Sequence, residues 1–86
     1  MIQKNVLPVT PTICIIGLGY VGLPLAVEFG KSYTTLGFEI NVERVNNLQN
    51  GIDTTLEVGE ELLKQAKKLT YTCNVGDITI ADVYIV

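Results

Sequence analysis

The sequence predicts an α/β fold built on a mostly parallel sheet, and three observations predict it. Short apolar runs rich in β-branched residues recur along the 86 residues. Segments of helical periodicity separate them. A cluster of glycines stands where the first apolar run gives way to the first helix-like segment. Alternation of this kind lays strands side by side and packs the crossover helices onto the sheet.

Taken in order, residues 1–11 read as a lead-in, because Pro8 and Pro11 favour extended, non-helical backbone. Residues 12–17 (TICIIG) are nearly continuous in apolar side chains, as suits a central strand covered on both faces. Val21, Leu25, Ala26 and Phe29 then fall on one helical face. Pro24 is tolerated in the first turn, where amides lack intrahelical partners, and Gly30 is placed to end the helix. Residues 34–40 (TTLGFEI) form a second strand. Asn41 is a natural N-cap for a helix whose inner face is Val42, Val45 and Leu48, and Gly51 stops it. Thr54 and Glu57 have the spacing of a capping box ahead of a helix over 58–68, with Leu62, Leu63 and Ala66 inward and Glu60 four residues before Lys64. Gly59, near its start, costs up to about 1 kcal/mol if interior. Residues 69–73 (LTYTC) are a third strand, 76–81 a turn or single helical loop, and 82–86 (DVYIV) a fourth strand. The order β-α-β-α-α-β-β over residues 12–86 amounts to about the first half of a doubly wound sheet.

Composition narrows the function classes. Hydrophobic residues at 48% against 17% charged exclude a disordered tail. Six basic and nine acidic residues, with no histidine, give a net charge of -3, which argues against a nucleic-acid face or a polybasic membrane patch. Cys14 and Cys73 are too few for a disulfide framework or a metal cluster, so the setting reads as reducing and cytoplasmic. The stretch from Asn5 to Val27 carries no charge, but Pro8, Pro11, Pro24, Gly17, Gly19 and Gly22 interrupt it, against a signal peptide or membrane span. The chain stops within the apolar run DVYIV, and the expectation is that it is a piece of a longer domain whose fourth strand presents an edge open to self-association.

Gly17-Leu18-Gly19-Tyr20-Val21-Gly22 is G-x-G-x-x-G at the junction of a strand and a helix, the context that gives the motif meaning. Gly17 makes the tight turn, Gly19 lets backbone approach a pyrophosphate, and Gly22 lets helix pack on strand, as in a Rossmann-type dinucleotide domain. The helix start at Tyr20, Val21 and Gly22 offers unpaired amides and the positive end of the macrodipole to phosphates. Glu39 stands 22 positions after Gly17, near the place of the carboxylate that accepts hydrogen bonds from the adenosine ribose hydroxyls, which favours NAD. NADP requires a compensating cation, for which Arg44, one helical turn on, is the candidate; otherwise Arg44 packs or hydrogen-bonds along the adenosine edge, or is solvated. The cofactor-binding set is therefore Gly17, Gly19, Tyr20, Val21, Gly22, Glu39 and Arg44.

The run IIGLGYVGLPLAVEFG resembles the N-terminus of the UDP-glucose/GDP-mannose dehydrogenase family. The resemblance continues through GFEIN and Arg44, through NGIDTTLEVGEELL and into LTYTCNVGDITIADVYIV, covering roughly residues 12–86. Residues 53–57 (DTTLE) are similar to the branch that oxidises UDP-N-acetylhexosamines for capsular and surface polysaccharides, of the Vi antigen type. The resemblance implies an NAD-dependent, four-electron oxidation at C6 of a UDP-sugar in a homo-oligomeric bacterial enzyme, with a cysteine that holds the intermediate covalently. In the family that cysteine and its helper lysine, asparagine and aspartate lie downstream of the first nucleotide-binding domain. No catalytic residue is therefore assigned here, and residues 12–86 alone are expected to be inactive. Cys14 reads as a small core residue, and Cys73 has no histidine or lysine beside it to activate its thiol. The ribose-binding acid is usually aspartate, and Glu39 is one methylene longer. For Thr54 and Glu57 the family adds a role near the active-site cleft to the capping reading. A UDP-glucose 6-dehydrogenase, a non-catalytic NAD-binding or regulatory module, and an FAD protein share the fingerprint as alternatives; the GYVGLP continuation tells against the last.

Overall fold

The first apolar run forms strand β1 (Ile13–Ile16) in the computed structural model, which describes residues 10–86; the greater part of the expected lead-in, residues 1–9, lies outside the described residues. There follow α1 (Gly22–Gly30), β2 (Thr35–Phe38), α2 (Val42–Gln49), α3 (Glu60–Gln65), β3 (Leu69–Thr72), a 3₁₀ turn over Val75–Ile78 and β4 (Val83–Ile85). All four strands pair in parallel, in the order β3-β2-β1-β4. The chain steps outward from β1 to β3 and then returns to the other side of β1, which is how a doubly wound sheet opens. β1 is thereby flanked on both edges, and its apolar run is buried from Ile13 to Ile15.

The two-residue period of β1 sends Ile13 and Ile15 to one face and Cys14 to the other. The helices cover the first face, where Leu23, Ala26, Leu48 and Leu63 join Ile13 and Ile15 in the main core. The opposite face carries a smaller cluster of Cys14, Phe38 and Ile78, the last supplied by the 3₁₀ turn.

α1 buries Leu23, Ala26, Val27 and Gly30. Val21, expected inside, is exposed because it precedes the helix at the N-cap position. Gly30 is the last residue of α1, as expected, although no left-handed turn closes the helix, since Lys31 is right-handed. Its smallness serves packing: a Cβ there would lie 2.6 Å from the Leu69 Cβ and 3.2 Å from the Ala66 Cβ. The Gly30 carbonyl also accepts the Lys68 N–H at 2.9 Å, so α1 sits directly on the approach to β3.

Asn41 caps α2 as expected, its Oδ1 accepting the Arg44 N–H at 3.1 Å, and Val45 and Leu48 are buried while Val42 is exposed. Gly51 at φ +78° closes the helix. The Gly51 and Ile52 amides donate to the Leu48 and Asn47 carbonyls, each at 2.9 Å, the paired bonds of a Schellman close.

The capping box on Thr54 and Glu57 does not form. Both side chains are exposed, α3 begins only at Glu60, and Gly59 is its N-cap with ψ 160° and no side-chain bond. The cause lies one residue earlier. The Asp53 carboxylate accepts the Thr55 and Val58 amides at 3.0 and 2.9 Å and draws the chain into a tight loop in which Leu56 takes φ +60°. A helix cannot start inside that loop. As an N-cap, Gly59 escapes the cost of an interior helical glycine. Leu63 and Ala66 point inward, Leu62 does not, and Glu60 pairs with Lys64 at 3.5 Å.

Candidate functional site

The parallel ladder runs one residue beyond each strand. The Gly17 N–H donates to the Phe38 carbonyl at 2.8 Å and the Glu39 N–H to the Thr72 carbonyl at 3.0 Å. Gly17 and Glu39 are thus delivered to one edge, the carboxyl ends of β1 and β2. In sheets of this topology that edge, beside the point where the strand order reverses, is where ligands bind.

At Gly17 the chain bends with φ +93°, a conformation L side chains rarely adopt. Gly22 lies against that bend, and a Cβ there would collide with the Gly17 carbonyl oxygen. Gly19 is different: a Cβ built on it meets nothing within 4 Å. One glycine bends the chain, one allows helix to touch strand, and one keeps an open face.

Unpaired donors adjoin it in sequence. Among the described residues the amides of Gly19, Tyr20, Val21 and Gly22 find no acceptor; the first helical bond is from Leu23 N–H to the Gly19 carbonyl at 3.1 Å. α1 has no acidic residue in its first turn to compete for them. Free amides at the positive end of a nine-residue helix form a cradle for an anion. The Tyr20 and Val21 side chains point away from the core, 72% and 79% exposed. The residues present therefore fit a pyrophosphate laid over Gly19.

Leu18, read in the sequence only as a spacer between glycines, is the anchor of the turn. Its side chain is fully buried and lies over Gly37, where a Cβ would stand 3.0 Å from the Leu18 Cδ1. Its peptide groups are gripped from both sides. The Glu39 Oε1 accepts the Leu18 N–H at 3.1 Å, and the Arg44 Nε donates to the Leu18 carbonyl at 2.7 Å. The Glu39 Oε2 accepts the Asn41 N–H at 3.0 Å, which ties the carboxylate to the start of α2. Glu39 also lines an open groove of about 310 Å³ with Ile16, Gly17, Phe38 and Ile40. The structure thus brings Gly17, Gly19, Gly22, Glu39 and Arg44 together, with Arg44 turned inward and not toward solvent.

What turns Arg44 inward is Asp53, which sequence reasoning did not single out. The Arg44 Nη1 meets the Asp53 Oδ1 at 3.1 Å, with side-chain exposures of 13% and 0%. Burial pushes the Asp53 carboxyl up, but bonds from the Thr55 Oγ1 at 2.6 Å, the Val58 and Thr55 amides and Arg44 outweigh it and hold the group at about 2. Asp53 is therefore charged at neutral pH. The available signal was the pattern Asp53-Thr54-Thr55, in which an aspartate accepts the N–H two residues on. Burial with the Asp53 charge nearby pushes the Tyr71 phenol up to about 12.

Cys14 is buried in β1, which raises its pKa and makes it inert, and Cys73 is exposed beyond β3. Among the described residues no group of three or more histidine, cysteine, aspartate or glutamate side chains could hold a metal ion, and no helix is long and apolar enough to cross a membrane.

The model of the NAD-binding domain of the UDP-glucose/GDP-mannose dehydrogenase family matches residues 11–86. The chain is 53% identical over 74 residues to a UDP-N-acetyl-D-glucosamine 6-dehydrogenase of Pseudomonas aeruginosa, covering 86% of this chain and 18% of that relative. It is 51% identical over 74 residues to the enzyme of the same name from Salmonella typhi, covering 86% and 17%. The solved UDP-D-ManNAc dehydrogenase of Pyrococcus horikoshii superposes with a TM-score of 0.77 at 30% identity, covering 85% of this chain and 19% of that one. The chain thus spans less than a fifth of the length of the curated relatives it matches.

Proposed function

The chain belongs to the UDP-glucose/GDP-mannose dehydrogenase family, whose NAD-binding domain it matches over residues 11–86, and from that premise we propose that it is the cofactor-holding part of an NAD-dependent 6-dehydrogenase acting on a UDP-N-acetylhexosamine. The cofactor is NAD. The amides of Gly19, Tyr20, Val21 and Gly22 bind its pyrophosphate, Gly17 and Gly22 shape the turn, and Glu39 receives the adenosine ribose. Phe38 and Ile40 give the groove beside Glu39 its apolar wall. NAD, when bound, accepts hydride from the substrate. The residues of this chain hold and orient the cofactor, and the groups that bind sugar and carry out the oxidation lie elsewhere in the protein. The uronic acid so made serves capsular or surface polysaccharide synthesis in the cytoplasm. A single observation carries the cofactor reading: a Gly19 with open space where a side chain would stand, adjoining four amides that find no acceptor among the described residues, at the same strand edge as Glu39.

Gly19→Val tests it in the protein expressed at full length. Isothermal titration is expected to show NAD binding weakened at least about tenfold, because the new side chain occupies the pyrophosphate position. The thermal midpoint is expected to stay put, since a Cβ there meets nothing within 4 Å beyond its own chain neighbours. Unchanged affinity would overturn the cradle assignment.

For the substrate, the two relatives above carry UDP-N-acetyl-D-glucosamine in their names. NAD reduction by the full-length protein is accordingly expected to be faster with UDP-N-acetylglucosamine or UDP-N-acetylmannosamine than with UDP-glucose. The reverse order would return the chain to the UDP-glucose branch.

A further inference from the structure

Resting on the NAD reading above, we propose that Arg44 is a positioning residue that acts through Leu18: the bond from its Nε to the Leu18 carbonyl locks the peptide between Leu18 and Gly19 and so keeps the Gly19 N–H presented to the pyrophosphate.

A trans peptide unit is planar, so its carbonyl and its N–H point in opposite directions. The Arg44 Nε donates to the Leu18 carbonyl at 2.7 Å, which fixes the direction of the Gly19 N–H as well. That N–H finds no acceptor among the described residues. The glycine makes such a lock necessary. Turning the peptide of a turn over reverses the sign of φ at the residue after it, which glycine alone accepts at no steric cost. Among the described residues Gly17 and Gly51 are the glycines of positive φ, and Gly19 is not one of them. The residue whose missing side chain leaves room for a phosphate is therefore also the one that would let its own amide turn away. The preceding peptide is held separately, by the bond from the Leu18 N–H to the Glu39 Oε1 at 3.1 Å, so the Leu18 carbonyl is left to Arg44.

The guanidinium is aimed from its other end. Its Nη1 meets the Asp53 Oδ1 at 3.1 Å, and Asp53 is itself fixed by the Thr55 hydroxyl and by the Thr55 and Val58 amides. The backbone of Arg44 is fixed too, since its N–H donates to the Asn41 Oδ1 at the cap of α2. A planar fork anchored at both ends holds Nε against one carbonyl in one orientation. Nη2 takes no part in the lock. It is buried without an acceptor among the described residues, and a direct contact of that atom with bound cofactor is compatible with the role of Nε.

Two substitutions separate the donor from the charge. Arg44→Gln keeps an N–H donor at the side-chain position of Nε and removes the charge, whereas Arg44→Lys keeps the charge and puts a methylene at that position. The measured quantity is the ratio of the adenosine and ADP dissociation constants, from titration of the full-length protein, which isolates what the two phosphates add. In Arg44→Lys that ratio is expected to fall about tenfold, the size of one charge-assisted hydrogen bond, while in Arg44→Gln it stays within about threefold of the parent. A ratio unchanged in Arg44→Lys overturns the proposal, and this is also what a direct contact with the adenosine side alone would give, since both ligands then weaken alike. A ratio that falls in Arg44→Gln as far as in Arg44→Lys overturns it too. A merely structural role predicts the opposite order, because Arg44→Gln strands the buried Asp53 carboxylate and is expected to have the lower thermal midpoint. Should that variant not fold, Arg44→Gln combined with Asp53→Asn strands no charge and carries the same expectation. A parent protein that binds ADP no more tightly than adenosine would instead strike the cradle proposed above, so the two failures are distinguishable.

Discussion

Gly22→Ala is expected to remove NAD binding and to lower stability by about 2 kcal/mol or more, a larger effect than one methyl group usually has. Alanine in a helix ordinarily gains up to about 1 kcal/mol over glycine. Here its Cβ would collide with the Gly17 carbonyl oxygen, which is backbone, so no change of rotamer relieves it. Overpacking of this kind costs about 1–3 kcal/mol and occasionally more. Relief requires α1 to lift from β1 or the peptide after Gly17 to rotate. Rotation breaks the Leu18 N–H bond to Glu39, and lifting removes the amides of residues 19–22 from the strand edge. Either route disassembles the cradle. Urea unfolding and NAD titration of the full-length variant check both halves of the expectation, and a variant as stable as its parent would show that α1 does not rest on Gly17. The contrast with Gly19→Val is informative, because that change is expected to spare the fold and lose the ligand.

The glycine turn, the four strands and the Asn41 cap were legible because each depends on residues close in sequence. Three or four apolar side chains in a row, or a glycine after a strand, carry their meaning locally. Leu18 was not legible. Its burial depends on β2 pairing with β1 in the register Ile15↔Gly37, which sets a residue without a side chain beneath it. Gly30 does end α1, as its position suggests, but what requires a glycine there was hidden for the same reason: the atoms belong to Ala66 and Leu69, more than thirty positions on. At 53–57 two local rules competed for one stretch. The Thr54 and Glu57 spacing satisfies the capping box, and Asp53 with Thr55 satisfies an aspartate turn. Burial decided between them, since Asp53 faces Arg44 inside the fold and Thr54 and Glu57 face water. The Arg44 and Asp53 pair lies nine residues apart across the end of α2, and nothing in the pattern of polar residues announces it.

That pair leads to the second large effect. Asp53→Ala is expected to lower stability at neutral pH by about 3 kcal/mol or more, because removing one partner of a buried ion pair strands the other and typically costs about 3–5 kcal/mol. The Thr55 and Val58 amides lose their acceptor as well. Asparagine, which keeps the shape and one acceptor oxygen, is expected to lose less. The dependence on acid has a definite sign. The Asp53 carboxyl is held from its ordinary 3.8 down to about 2 in the folded chain, so its contribution is present in full above about pH 4 and is lost as pH falls toward 2. A depression of that size corresponds to about 2 kcal/mol. Urea unfolding of parent and Asp53→Ala across this range is therefore expected to show their stability difference shrinking by about that amount between pH 5 and pH 2. A difference that stays constant with pH would mean that the Asp53 charge contributes nothing. The carboxylate would then act as a spacer in the loop, and Arg44 would keep its grip on Leu18 without it.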